Sequence, residues 1–150
     1  SLIALSHAQQ KSLIPIAADQ SVFTIHDAFN ICKINAADML TLGIHETGGI
    51  SNFKKIAQLA EAAGINICIH GLYESGITSY ASHQLGISIP NIDDGNPMML
   101  RFLECYLIRK GIEFPDKMEW PVNNKVGLGF DIDEDAVKEA SKLHRKKILY

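Results

Sequence analysis

Four short apolar segments recur along the chain, and they constrain its fold more than any other feature. They are rich in β-branched and aliphatic residues, start roughly 25 residues apart, and cover residues 14–19, 37–42, 65–70 and 87–92. Between them apolar residues return with helical period, as in residues 52–63. Strands that alternate with helices in this way predict an α/β fold of βαβ units on a parallel sheet. Nearly continuous apolar strands indicate that both faces of the sheet are covered.

Residue types that begin and end helices stand between these segments. The predicted helices cover residues 27–33, 52–63, 97–110 and 134–146. The expected starts are Thr24 or Ser21, Ser51, Pro97, and Asp131 or Asp133, and the expected ends are Gly64 and Gly111. Residues 1–12 are typical of the last part of a helix that leads into the first strand.

Composition excludes several classes of function. The formal charge of -3, from 14 basic and 17 acidic residues, is too small for a nucleic-acid surface. The 3 cysteines, Cys32, Cys68 and Cys105, are far apart and form no metal-binding or disulfide pattern, which indicates a reducing compartment. No apolar run approaches the roughly 20 residues needed to span a bilayer. We therefore expect a cytoplasmic protein that contacts neither nucleic acid nor membrane.

Polar residues follow the predicted strands at the point where each strand ends. Asp19 closes the first strand and His70 the third. In (β/α) barrels the carboxyl ends of the strands form the mouth of the active site. About four βα units cannot close an eight-stranded barrel, so we expect a preceding part. The expected domains are a partial barrel over residues 1–126 and a C-terminal helical extension over residues 127–150.

Five motifs occur in an order that resembles a known family. They are Ala-Ala-Asp-Gln-Ser at 17–21, Ala-Asp followed by Gly-Gly-Ile within 37–50, Lys-Ile-Ala-x-Leu-Ala-Glu-Ala-Ala-Gly-Ile at 55–65, Glu-Ser-Gly-Ile at 74–77, and Gly-Leu-Gly-Phe-Asp-Ile-Asp at 127–133. Their combination resembles the mandelate racemase and muconate lactonizing enzyme branches of the enolase superfamily. The resemblance implies the C-terminal part of a TIM-type barrel, with an extension that packs toward a capping domain.

The same resemblance implies a chemistry. In that family a divalent cation, usually Mg²⁺, binds a substrate carboxylate while a base removes the neighbouring proton. Asp19 falls on the third of three metal-binding carboxylate positions, although a turn or helix-capping role also fits it. His70 falls where mandelate racemase-like members carry a catalytic histidine, which acts as general base or acid.

Other positions carry weaker expectations. Gly48 and Gly49 are expected either to contact a substrate anion through their amides or only to form a tight turn. Glu74 matches a glutamate common in the family, but a carboxylate there also favours a helix dipole. Asp93 meets the position of an acid that contacts the substrate carboxylate, or it is a solvated loop residue.

The sequence departs from the family at the second strand. Gly43 stands where the resemblance implies a lysine or aspartate base. Gln20 stands where members with the lysine usually carry a glutamate near it. His45, two residues on, shares the strand parity of residue 43 and is a candidate to reach in from the rim.

Racemisation needs bases on both faces of the substrate, so this loss favours another reaction. We expect the full-length protein to be an acid-sugar dehydratase, a Mg²⁺-dependent lyase. The alternatives are a non-catalytic homologue that binds a carboxylate metabolite, and an isomerase of the cycloisomerase or racemase type. The 150-residue chain alone is expected to be inactive and, because its sheet edges are open, to form a homo-oligomer.

Overall fold

A computed structural model describes residues 1–93, 95–97, 99, 103, 107–109, 122 and 124–148. The elements in chain order are α1 (Leu2–Lys11), β1 (Ala17–Ala18), α2 (Ile25–Lys33), β2 (Met39–Leu42), α3 (Ile50–Ala62), β3 (Asn66–Ile69), α4 (Gly76–Ile87), β4 (Ile108–Arg109), β5 (Asp131–Ile132) and α5 (Glu134–Ile148). They fall into two compact units, Ser1–Gly71 with Leu85–Pro97, and Leu72–Gln84 with Met98–Tyr150. Within the described ranges, every helix is too short or too polar to cross a bilayer.

The first unit contains a parallel sheet in the order β1-β2-β3. Leu40 of β2 lies beside Ala18 of β1 on one side and Ile67 of β3 on the other. Because the three strands are parallel and consecutive, their carboxyl ends lie along one edge of the sheet. The α/β fold with a parallel sheet is therefore confirmed.

One face of this sheet is buried against helices. Leu40, Leu42 and Ile67 are fully buried and belong to the same apolar core as Phe53 and Ile56 of α3. The buried residues of α3 recur three or four positions apart, as the helical period requires. The opposite face presents the alternate residues of each strand, among them Thr41 and Cys68.

The helix bounds agree in part with the predictions. Thr24 caps α2, as one of the two predicted starts, and Gly64 follows α3 with φ of 72°. The prediction that Ser51 caps α3 is wrong. The helix begins at Ile50, directly after Gly49, so Ser51 already lies in its first turn.

In the described residues, the strand predicted over 87–92 is reduced to a bridge at its last residue. Residues 87–92 are apolar enough for a strand, but α4 continues through Ile87, and turn bonds from Ser88 to Leu85 and from Ile89 to Gly86 follow. Pairing with β3 is limited to an isolated parallel bridge between Ile92 and Ile67. The amides of Ile67 and Asp93 complete it, each donating to a carbonyl across the bridge.

The second unit contains an antiparallel pair of strands. Ile108 of β4 lies beside Ile132 of β5. The predicted helix over 97–110 is therefore wrong at its end, because Leu107 has φ of 60° and no right-handed helix continues through that conformation. Most of that range, and Gly111, lie outside the described residues. α5 begins as predicted, with the Asp133 carboxylate accepting from the amide of Ala136 (3.0 Å).

Candidate functional site

Asp19 and His70 lie at the carboxyl edge of the parallel sheet, as their positions after strands predict. Asp19 directly follows β1, and its carbonyl accepts from the amides of Ser21 and Val22 in a tight turn. His70 directly follows β3, and its amide donates to the carbonyl of Leu42 (2.8 Å). This bond extends the pairing of β2 and β3 by one residue and fixes the backbone that carries the imidazole.

The end of β2, between them, continues into a single helical turn. The amide and the hydroxyl of Thr47 both donate to the carbonyl of Gly43, at 3.0 and 2.9 Å. The amide of Gly49 donates to the carbonyl of Ile44 (2.8 Å). Residues three apart in a helical turn are neighbours, so residue 46 is brought back over residue 43.

Glu46 uses the space above Gly43. A Cβ atom at residue 43 would come within 2.8 Å of Glu46 Oε2 and 3.0 Å of His45 Cε1. Such distances are shorter than carbon and oxygen atoms tolerate without displacement. The lack of a side chain at Gly43 thus lets the Glu46 carboxylate fold over the end of β2. From the sequence, His45 was chosen for this place rather than its neighbour Glu46.

Asp19, Glu46 and His70 form what we call the rim cluster. His70 Nδ1 lies 3.1 Å from Glu46 Oε2 and 3.9 Å from Asp19 Oδ1. One oxygen or nitrogen atom of each residue lies within 4.8 Å of those of the other two. The side chains of Glu46 and His70 are only 12% and 16% exposed, whereas that of Asp19 is 48% exposed. Two carboxylates therefore converge on one imidazole at the edge of the sheet.

The remaining candidates of the first unit lie around this cluster. His45 is half exposed, with its ring 6.3 Å from that of His70 and its Nε2 atom 4.0 Å from Glu46 Oε1. Gly48 and Gly49 have positive φ and form the predicted turn. The amide of Gly49 already donates within that turn, so in this conformation it is not directed at a substrate anion.

Asp93 is not brought to the rim cluster. Its carboxylate accepts from the Asn66 side chain (3.1 Å), at the first residue of β3, whereas His70 follows the last residue. The bridge next to Asp93 accounts for this position, because Ile92 lies beside Ile67, near the start of β3, rather than beside a residue nearer the carboxyl end of the strand. Glu74 belongs to the second unit, two residues before α4.

Comparison with known proteins identifies the family. The model of the family described as enolase C-terminal domain-like matches residues 1–136. The chain belongs to this family. The resemblance to mandelate racemase and muconate lactonizing enzymes is thereby confirmed.

Relatives of this enolase-family chain are isomerases. A chloromuconate cycloisomerase of Cupriavidus pinatubonensis is 30% identical over 141 residues, covering 93% of this chain and 38% of the relative. The structure of an N-succinyl Arg/Lys racemase from Bacillus cereus matches with a TM-score of 0.84 and 26% identity, over 93% of this chain and 37% of that one.

A dipeptide epimerase from Cytophaga hutchinsonii, in complex with Mg and the dipeptide D-Ala-L-Val, matches with a TM-score of 0.84 and 27% identity, over 92% and 38% of the two chains. The chain thus spans about two fifths of the length of these relatives.

Proposed function

We propose that this chain is the C-terminal part of the barrel of a metal-dependent isomerase that moves a proton next to a substrate carboxylate. The observation that carries the proposal is the convergence of Asp19 and His70 at the carboxyl edge of consecutive parallel strands. In (β/α) barrels the active site lies at that edge. The bridge at Ile92 is consistent with a fourth barrel strand, and the expected extension from residue 127 is part of the same proposal.

The isomerase alternative replaces the acid-sugar dehydratase as the main proposal. The relatives described above are a cycloisomerase, a racemase and an epimerase, and none of their names refers to an acid sugar. The shared substrate feature that we propose is a small molecule with a carboxylate. Inverting a stereocentre requires proton-transfer groups on both faces, and the rim supplies groups for one face.

The residues present fit a divalent cation at Asp19. Its carboxylate is half exposed at the mouth, and oxygen ligands of this kind suit Mg²⁺. When bound, the cation would stabilise the negative charge that develops on the substrate carboxylate. Glu46 contacts both imidazoles of the rim, and we propose that His70 or His45 moves the proton.

Deuterium exchange in the full-length protein that contains this chain tests the proposal. We expect muconates, dipeptides or N-acylated amino acids to gain deuterium next to the carboxylate in D₂O, as followed by proton NMR. The Asp19→Asn variant should lose this exchange, whereas Glu61→Gln on α3 should retain it. If the protein dehydrates acid sugars and does not exchange protons of these substrates, the result would contradict the isomerase proposal and support the acid-sugar dehydratase expected from the sequence.

The non-catalytic alternative predicts a different result for the same samples. It requires saturable binding of a carboxylate ligand with no exchange at any substrate. We also propose that the 150-residue chain alone is inactive, that it self-associates, and that the protein is cytoplasmic. Exchange catalysed by the isolated chain would refute the first of these.

A further inference from the structure

The rim cluster consists of residue types that ligate metal ions, and all three are supplied by this chain. It combines one imidazole nitrogen with oxygens from two carboxylates, all within 4.8 Å of one another. Each of the three residues comes from the end of a different parallel strand.

The separations suit a small ion. With ligand bonds of about 2.0–2.2 Å, two ligands of a tetrahedral ion lie about 3.4 Å apart. His70 Nδ1 stands 3.1 Å from Glu46 Oε2 and 3.9 Å from Asp19 Oδ1, values on either side of that distance. Asp19 is the most exposed of the three, so its side chain has the most room to move toward an ion shared with Glu46.

Gly43 gives a second and independent indication. The Glu46 carboxylate occupies the position of a side chain at residue 43 and is held there by the turn over residues 43–49. Glu46 and His70 are mostly buried, so these two ligands are positioned before any ion arrives. A ligand pair that is already positioned loses less conformational entropy on binding.

The donor set determines which ion fits. Mg²⁺ prefers oxygen ligands and an octahedral shell, whereas an imidazole together with carboxylates suits Zn²⁺ and its neighbours. We infer that Asp19, Glu46 and His70 bind a divalent transition metal, represented by Zn²⁺, in preference to Mg²⁺. The proposed set of ligands does not include His45. The inference does not rest on the proposed function, because it requires neither a substrate nor further parts of the protein.

Calorimetry on the metal-free 150-residue chain tests this inference, with ZnCl₂, MnCl₂ and MgCl₂ as separate titrants. We expect Zn²⁺ to bind at least about tenfold more tightly than Mg²⁺. Asp19→Asn, Glu46→Gln and His70→Asn should each weaken Zn²⁺ binding by about tenfold or more. Two controls remove an exposed group outside the cluster, His26→Asn on α2 and Glu61→Gln on α3, and should leave the affinity unchanged.

A measurement on the unaltered chain tests the inference even if the variants fail to fold. Added Mn²⁺ should broaden the NMR signals of His70 and Gly71 before those of Ile65 and Asn66, at the opposite edge of the sheet. The inference is overturned if Zn²⁺ affinity is unaffected by Glu46→Gln, if it falls equally in the controls, or if Mn²⁺ broadens both groups alike. Mg²⁺ binding that depends on Asp19 but not on His70 would also overturn it, while leaving the isomerase proposal intact.

Discussion

At the scale of single residues, Gly43 decides what the end of β2 can do. Gly43, where the sequence led us to expect a base, has no side chain, and this leaves room for the Glu46 carboxylate, which contacts His70. Asp19 and His70 could be predicted from sequence because each directly follows an apolar strand. Glu46 could not, because its position depends on a turn closed by Thr47 and on an absent side chain three residues earlier.

Gly43→Ala should displace Glu46 at little cost in stability. The new Cβ meets the free end of a flexible side chain, and Gly43 is not among the glycines with positive φ. We expect the free energy of unfolding in urea to stay within about 0.5 kcal/mol of the unaltered chain. A crystal structure should show Glu46 Oε2 no longer within hydrogen-bonding distance of His70.

Gly64→Ala is the matched control, with the opposite outcome. A Cβ atom added at residue 64 would meet no neighbouring group within 4 Å, but φ is 72°. We expect the free energy of unfolding to fall by about 1 kcal/mol, because alanine is strained in this backbone conformation. The contact between Glu46 and His70 should persist in this variant. A Gly43→Ala structure that retains the contact would contradict the role given to residue 43.

Asp38 links α1 to the first strand through two hydrogen bonds. Its carboxylate accepts from the amide of Ile16 (2.7 Å) and from the side chain of Gln9 (2.8 Å). The Ile16 bond, followed by the Gln9 bond, lowers the pKa of Asp38 from its ordinary value of 3.8. Since the folded state lowers this pKa, the stabilisation is present above pH 3.8 and is lost as the pH falls through the lower folded value.

Asp38→Asn should therefore lower the free energy of unfolding at pH 7, by at most about 1 kcal/mol because the group is exposed. The difference from the unaltered chain should shrink as the pH falls below 3.8. Urea unfolding of both proteins between pH 3 and pH 7 measures it. A difference that is constant over this range would show that the charge of Asp38 is not responsible.

At the scale of secondary structure, a helix or strand is predicted well from sequence where the residues fit only one of the two periodic patterns. The strands β2 and β3 lie within the predicted segments because their apolar runs are bounded by turn residues. The segment at 87–92 satisfies two patterns, since Ile87 and Ile89 suit a strand, whereas Ile89 also lies four residues after the buried Leu85 of α4. Only tertiary contacts with β3 decide between the strand and the helix. The sequence alone therefore predicts a strand from Ile87, whereas the bridge to β3 is at Ile92.

The start of α2 allows a direct test of the two predicted caps. Thr24 accepts from the amide of Asp27, whose carboxylate accepts in turn from the Thr24 amide, which forms a capping box. Thr24→Ala should lower the free energy of unfolding by about 1 kcal/mol. Ser21→Ala, the other predicted start, is the control and should change it by less than about 0.5 kcal/mol. Equal losses in urea unfolding would contradict the assignment of the cap.

At the scale of the whole molecule, the parallel sheet has an exposed side at β1. In the described part of the chain β1 pairs with β2 alone, and Leu13 and Ile14, just before it, are 103% and 73% exposed. A strand that is paired on one side only, next to exposed apolar residues, favours association between copies. The family and the residues that follow the strands can be predicted from local motifs. The exposed side of β1 becomes evident only when the pairing of strands is known.

We therefore predict that the 150-residue chain self-associates through the β1 edge. Light scattering after size exclusion should give a mass above that of one chain, and Ile14→Lys should shift the distribution toward the monomer, because a buried lysine at a new interface loses its hydration. Ile3→Lys is the matched control, since Ile3 is 66% exposed and belongs to α1 rather than to the segment at β1. A monodisperse monomer of the unaltered chain would refute self-association, and equal effects of the two substitutions would refute the β1 edge as its site.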